Sequence, residues 1–130
     1  MKADLRRSTR YADFLPITVT VGSMHDETIL AGPFSVRIVD ISNHGVSLLL
    51  TQVMVHSFHI FHSTRENEAA ALRLQIKLPH SQDSVLIPAR PVWLHAEESG
   101  DFKVFRMGVH FLTPIDNNLL LKINKMINTV

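Results

Sequence analysis

The stretch Leu72-Arg73-Leu74-Gln75-Ile76-Lys77-Leu78 decides the fold class, because apolar and polar residues alternate along its whole length. A period of two is typical of a β-strand that buries one face and exposes the other. A second stretch, Ile17-Thr18-Val19-Thr20-Val21, alternates in the same way and is rich in β-branched residues, which favour strands. We therefore expect a sheet with one face in the core and one in solvent.

Four further segments indicate two strand pairs. Residues 34–41 and 45–50 flank the short turn Ser42-Asn43-His44-Gly45, and this arrangement predicts a hairpin because Asn and Gly tolerate positive φ. Residues 85–95 and 102–112 flank a polar loop and predict a second antiparallel pair. Most of the chain is thus assigned to strands.

The end of the chain changes its period. After Pro114, apolar residues recur at helical spacing: Ile115, Leu119, Ile123, Met126 and Ile127. Asp116 stands where its carboxylate can cap the first turn. About six strands, one terminal helix and no alternation of strands with helices predict a mainly β fold, a small six-stranded antiparallel β-barrel with a C-terminal α-helix, because closure removes sheet edges. Pro88 and Pro91 then mark an edge position or a bulge.

At 130 residues the chain fits one domain. We expect residues 1–13 to be a flexible N-terminal arm, residues 14–113 the barrel and residues 114–130 the helix. The chain has no cysteine, which excludes disulfides, thiolate zinc sites and cysteine nucleophiles. No signal peptide and no apolar run near the ~20 residues of a membrane span are present, so we expect a cytoplasmic protein without a membrane span.

Positive charge is concentrated near the start of the chain. The formal net charge is only +1, yet three of the eight arginines lie between Arg6 and Arg10. Arg6 and Arg10 are four residues apart, and each guanidinium can donate two parallel hydrogen bonds to a phosphate or to guanine. This pattern suits a compact phosphate ligand better than nucleic acid, which we do not expect to bind. A merely solvated basic cluster is the alternative.

The predicted hairpin carries groups that can recognise a guanine base. The Asp40 carboxylate can accept hydrogen bonds from N1–H and the 2-amino group of guanine, and Ser42, two residues on, points to the same face. Gly45 would let the turn pass close to a ligand, since no Cβ stands in the way. The alternative is an ordinary turn of the Asx type.

Together, RxxxR on the arm and D/NxSxxG on a barrel hairpin resemble the PilZ domain family, whose members bind the bacterial second messenger cyclic di-GMP. All five signature positions are present: Arg6, Arg10, Asp40, Ser42 and Gly45. The resemblance covers nearly the whole chain. It implies that the two arginines contact phosphates and guanine faces, and that the three hairpin residues surround one guanine.

Two further residues are candidates for the same site. Arg7 lies inside the arm motif and can add a supporting contact. Trp93 is the chain's one tryptophan, and in some relatives an aromatic residue on this strand lies beside the bound base; packing against the barrel is the alternative. Hydrogen bonds from charged groups can offset the ordering of a short arm, so we expect ligand and arm to order together and to signal to a downstream protein partner. No cofactor is expected.

Other classes of function are less well supported. A degenerate PilZ-like adaptor for proteins and a nucleic-acid module that uses the basic arm remain as alternatives. An enzyme is not expected, because no nucleophile elbow, phosphate-binding glycine loop or metalloprotease helix is present. We expect no metal site either, since the spacing of His56, His59 and His62 spreads the imidazoles on a strand or a helix. We interpret residues 52–68 as an insertion between strands.

Overall fold

A computed structural model describes residues 14–79, 82–99 and 102–129, so the predicted arm at 1–13 lies outside the described residues. The described elements are, in chain order, β1 Leu15–Ser23, β2 Ile29–Ile41, β3 Gly45–Leu50, β4 Met54–Val55, β5 Phe58–His59, α1 His62–Arg65, β6 Ala70–Lys77, β7 Ser84–Ser99, β8 Phe102–Phe111 and α2 Asn117–Asn128. Each alternating stretch of the sequence is a strand, which follows from its period of two.

Six of the strands close into an antiparallel barrel in the order β1, β2, β3, β8, β7, β6. The prediction of a small six-stranded barrel with a C-terminal helix is confirmed. In β6 the alternation has its expected result, because Leu72, Leu74 and Ile76 are buried whereas Gln75 and Lys77 are exposed. The inward residues of all six strands form one apolar core.

Two residues outside the barrel strands complete that core. Ile60, from the segment between β5 and α1, and Ile123, from α2, are both fully buried in it. Helix α2 packs against β2, and the Asp116 carboxylate accepts a hydrogen bond from the Leu119 amide at 2.8 Å. The predicted cap is therefore confirmed. In the part of the chain that the structure describes, no helix is long and apolar enough to cross a membrane.

Strand β7 shows how its prolines are accommodated. Its residues 84–89 pair with β6 and its residues 89–99 pair with β8, so Pro91 is paired with a strand on one side only, as the predicted edge position requires. A register shift between Pro91 and Trp93 shows that the bulge is right. Such a bulge inserts one extra residue into a strand and redirects the side chains that follow it. Val92 and Trp93 are consequently both exposed.

The insertion at 52–68 is ordered into small elements that the sequence analysis left unassigned. Strands β4 and β5 form a two-stranded hairpin, and α1 follows as a single turn. Arg90 on β7 fastens this segment to the barrel by donating to the carbonyls of Thr64, at 3.3 Å, and Ala70, at 2.6 Å.

Candidate functional site

A groove of about 250 Å³ lies on the outer surface of the barrel, where the β2–β3 turn meets β7 and β8. Its lining includes three residues of the predicted hairpin motif, Asp40, Ser42 and Gly45, together with Trp93. The sequence separates Trp93 from the motif by almost fifty positions, and the pairing of β3 with β8 and of β8 with β7 brings them together. The structure thus places four of the predicted site residues around one cavity.

A row of residues across four strands forms the centre of the groove. Asp40 on β2 lies opposite Ser47 on β3, Ser47 lies opposite Gly108 on β8, and Gly108 lies opposite Trp93 on β7. Their order presents a carboxylate, a hydroxyl, a bare backbone and an aromatic ring. This combination can read the polar edge of a flat base and contact its face.

Trp93 is held in the groove by its neighbours. Its indole lies over Gly108, where a Cβ would collide with ring atoms. The bulge before it is supported from the insertion, because Arg65 donates to the carbonyls of Pro91 and Val92, both at 3.1 Å. A bulge leaves backbone groups without their ladder partners, so this guanidinium satisfies carbonyls that the sheet does not.

The turn that carries the motif is fixed by its own hydrogen bonds. The Ser42 amide donates to the Gly45 carbonyl at 2.9 Å, and the Ser42 hydroxyl accepts from the His44 amide at 3.2 Å. Neither Asn43 nor Gly45 has a positive φ, since His56 and Gly32 are the residues with positive φ in the described ranges. The prediction that Asn43 and Gly45 form this turn because they tolerate positive φ is therefore wrong.

Gly45 is required by the neighbouring strand instead. A Cβ at this position would collide with the Val109 carbonyl oxygen of β8. The absence of a side chain thus allows the first residue of β3 to approach β8 closely, and this reason applies whether or not a ligand is bound.

Asn43 joins the same turn to helix α2. Its side-chain amide donates to the Ile115 carbonyl at 2.9 Å and to Asn117 Oδ1 at 3.0 Å, while its own carbonyl accepts from the Ile115 amide at 2.9 Å. The groove is therefore built on a turn that is braced at the start of the C-terminal helix.

The arginine side chains of the described residues are bound outside the groove. Arg37 donates to the Phe14 carbonyl, Arg73 to the carbonyls of Ser23 and Asp26, and Arg106 lies 3.3 Å from the Glu97 carboxylate. Arg65 and Arg90 bind the carbonyls named above. Among the described residues that line the groove there is no arginine or lysine, and the polar lining consists of Asp40, Ser42, His44, Ser47 and His110.

The remaining predicted residues, Arg6, Arg7 and Arg10, lie outside the described residues. Sequence reasoning missed Ser47, Gly108 and the histidines His44 and His110, all of which line the groove. Ser47 carried a usable signal, because it follows Gly45 by two positions on a strand and so shares its face. Gly108 carried none, since its role depends on the pairing of β7 with β8.

Two of the three histidines of the insertion, His59 and His62, form a local structural pair. The rings of His59 and His62 lie 4.5 Å apart, and His59 Nδ1 accepts from the amides of Phe61 and His62, both at 3.1 Å. Burial, and then the charge of His62, lower the pKa of His59. Within the described ranges no group of three or more His, Cys, Asp or Glu side chains is placed to hold a metal ion.

The fold and the groove define a small β-barrel with a ligand-sized site on its outer face. Residues 4–128 match the family model of the PilZ domain. The match covers almost the entire chain, and the chain therefore belongs to the PilZ domain family.

Among solved structures, the chain is similar to the PlzA protein of Borreliella burgdorferi, crystallised in complex with c-di-GMP. The TM-score is 0.52 at 13% sequence identity, and the match covers 99% of this chain and 48% of the PlzA chain. The chain thus spans about half the length of PlzA, and at this identity the likeness supports the fold alone. No curated protein matches the chain.

Proposed function

We propose that the chain is a cyclic di-GMP receptor in which the groove binds one guanine and the arm binds the phosphates. The observation that carries the proposal is the meeting of Asp40, Ser42, Gly45 and Trp93 in one groove of a PilZ domain. The carboxylate accepts from N1–H and the 2-amino group of guanine, and the indole contacts the base. The ligand found with PlzA has the same chemistry.

The charges of the groove assign a separate role to the arm. Cyclic di-GMP carries two phosphates, whereas the described lining offers no arginine or lysine and one carboxylate. We infer that Arg6 and Arg10 supply the missing positive charge, with Arg7 in support. The RxxxR spacing allows two guanidiniums to reach one ligand from the same side of a turn.

Binding then orders the arm. Fixing a residue costs about 1 to 2 kcal/mol, whereas a hydrogen bond to a charged group contributes roughly 1.5 to 3 kcal/mol. Two bidentate arginines can therefore offset the ordering of a short segment. The ordered arm presents a new surface to a downstream protein partner, in the cytoplasm of a bacterium and without catalysis by this chain.

Calorimetry with cyclic di-GMP tests the site. We expect binding by the wild type and at least a tenfold loss of affinity in Arg6→Ala, Arg10→Ala and Asp40→Ala, since tenfold corresponds to about 1.4 kcal/mol. Lys122→Ala, at an exposed position of α2, and Glu98→Ala are the matched controls, because each removes a charge of the same sign and neither residue lines the groove, and both should bind as the wild type does. Absence of binding by the wild type would overturn the proposal.

Two further measurements separate this proposal from its alternatives. Arg10→Lys keeps the charge but loses the forked geometry, so it should bind cyclic di-GMP weakly, whereas a nucleic-acid arm would tolerate the change and show a steep salt dependence. Hydrogen exchange of residues 1–13 should slow when cyclic di-GMP is added. Unchanged exchange with intact binding would contradict the ordering of the arm.

A further inference from the structure

Ser47 lines the groove but is not one of the PilZ signature positions. It lies between Asp40 and Gly108 in the row across the strands, and it lines the groove. Its position is central, because the two neighbours in the row are the proposed base-reading carboxylate and the glycine under the indole of Trp93.

The hydroxyl of Ser47 has an unusual environment. Its Oγ exposes less than 1 Å² to solvent, and in the described part of the chain it has no hydrogen-bond partner. Buried polar atoms are almost always paired, since water no longer satisfies them, and an exception calls for an explanation. A partner that is absent from the protein alone, such as a bound ligand, is one explanation.

We propose that the Ser47 hydroxyl is a third base-reading group, and that it donates to the O6 atom of the guanine whose N1–H and 2-amino groups bind Asp40. This inference rests on the proposed function. An ionised carboxylate only accepts hydrogen bonds, whereas a hydroxyl can donate. Asp40 and Ser47 therefore present an acceptor and a donor side by side, and the Watson–Crick edge of guanine presents the complementary donors and acceptor.

The base reaches this hydroxyl by displacing the indole of Trp93. Because Gly108 has no side chain, the indole of Trp93 lies over its backbone. Trp93 is therefore the next side chain after Ser47 in the row across the strands. Trp93 is 43% exposed, which leaves the ring room to move outward. On this proposal the indole moves outward when the ligand binds, and it contacts the base in the complex.

Ser47→Ala tests the inference because its two effects have opposite signs. Removing an unpaired buried hydroxyl should leave the melting temperature of the ligand-free protein equal to or above that of the wild type. The same change should weaken cyclic di-GMP binding about five- to tenfold, as expected for one lost hydrogen bond.

Thr64→Val is the matched control. Thr64 carries another buried hydroxyl without a partner among the described residues, and it does not line the groove. This variant should also keep or raise the melting temperature of the ligand-free protein, and it should bind cyclic di-GMP with wild-type affinity.

The outcomes separate this inference from the proposed function. If the wild type and Ser47→Ala bind cyclic di-GMP equally, the role of Ser47 is overturned and the receptor function stands. If the wild type does not bind, both are overturned. A ligand-free Ser47→Ala that melts well below the wild type would show that the hydroxyl is already paired in the folded protein, and it would likewise overturn the inference.

Discussion

The indole of Trp93 lies directly over Gly108, in the space that a side chain on β8 would fill. This relationship needs three conditions at once: a glycine on β8, the bulge in β7 and the register that places the two residues opposite each other. The aromatic wall of the groove therefore depends on the backbone of the barrel as much as on the tryptophan itself.

Gly108→Ala tests this dependence. The new Cβ would overlap the indole, so the ring must turn away, and we expect a stability loss of about 1–3 kcal/mol from overpacking. Because Trp93 is the chain's one tryptophan, the emission maximum of the protein reports its position directly. The spectrum should shift, and cyclic di-GMP affinity should fall.

Gly22→Ala is the control for that experiment. Its Cβ would meet the end of the Arg73 side chain, and Gly22 is not part of the groove lining. It should lower stability and leave the emission maximum unchanged. An unaltered spectrum and affinity in Gly108→Ala would mean that the indole does not need the bare backbone.

Arg65→Leu tests the support that the insertion gives to the site. The exposed guanidinium binds the carbonyls of Pro91 and Val92, so its loss should cost about 1 kcal/mol and loosen the bulge beside Trp93. Acrylamide quenching of Trp93 should increase. Arg73→Leu also removes a guanidinium that binds two carbonyls, those of Ser23 and Asp26, and it should leave quenching unchanged. Equal quenching in the two variants would contradict the prediction that the insertion supports the site.

The sequence was sufficient for the barrel because period-two alternation is a local signal. Residues 72–78 and 17–21 each show it within a few positions, and the cap at Asp116 is local as well. The strands β4 and β5 have two residues each, which is too short for any period to appear. The sequence therefore predicted no helix or strand in residues 52–68, although this segment supports the groove through Arg65.

Residue spacing predicted the part of the candidate site that one segment carries, whereas Trp93 was a candidate only through the family resemblance. Asp40, Ser42 and Gly45 belong to one turn, so their spacing was informative. The outward direction of Trp93 depends on the bulge in β7, which the neighbouring residues allow but do not predict. The need for glycine at position 45 depends on the close approach of Val109, which belongs to a strand more than sixty residues away. Such long-range pairings leave no trace in a single sequence.

Gly45→Ala should be destabilising before any ligand is added. The obstacle is the Val109 carbonyl, which is backbone and cannot rotate aside, so β3 and β8 must separate locally at a cost of about 1–3 kcal/mol. Urea denaturation measures this cost. Ser42→Ala removes only hydrogen bonds within the turn and should cost less, about 0.5–1.5 kcal/mol. If Gly45→Ala kept wild-type stability and lost affinity alone, contact with the ligand would be the reason for the glycine.

His59→Asn should make the protein less sensitive to acid. Burial, and then the charge of His62, lower the pKa of His59 in the folded state, so below pH about 6.5 the unfolded chain binds more protons at this residue than the folded protein does. The stability of the wild type should therefore decrease as the pH falls through this range, and level off below the lowered pKa.

The choice of asparagine keeps the structure while removing the titration. His59 Nδ1 accepts from the amides of Phe61 and His62, and an asparagine Oδ1 can accept the same two hydrogen bonds without binding a proton. Urea midpoints at pH 7.5 and pH 5.0 should differ less in His59→Asn than in the wild type. His95→Asn, an exposed change on β7, should retain the wild-type difference. If His59→Asn lost as much stability as the wild type between the two pH values, His59 would not be the source of the acid sensitivity. The neutral form of His59 would then not be required to hold the start of α1 against β5.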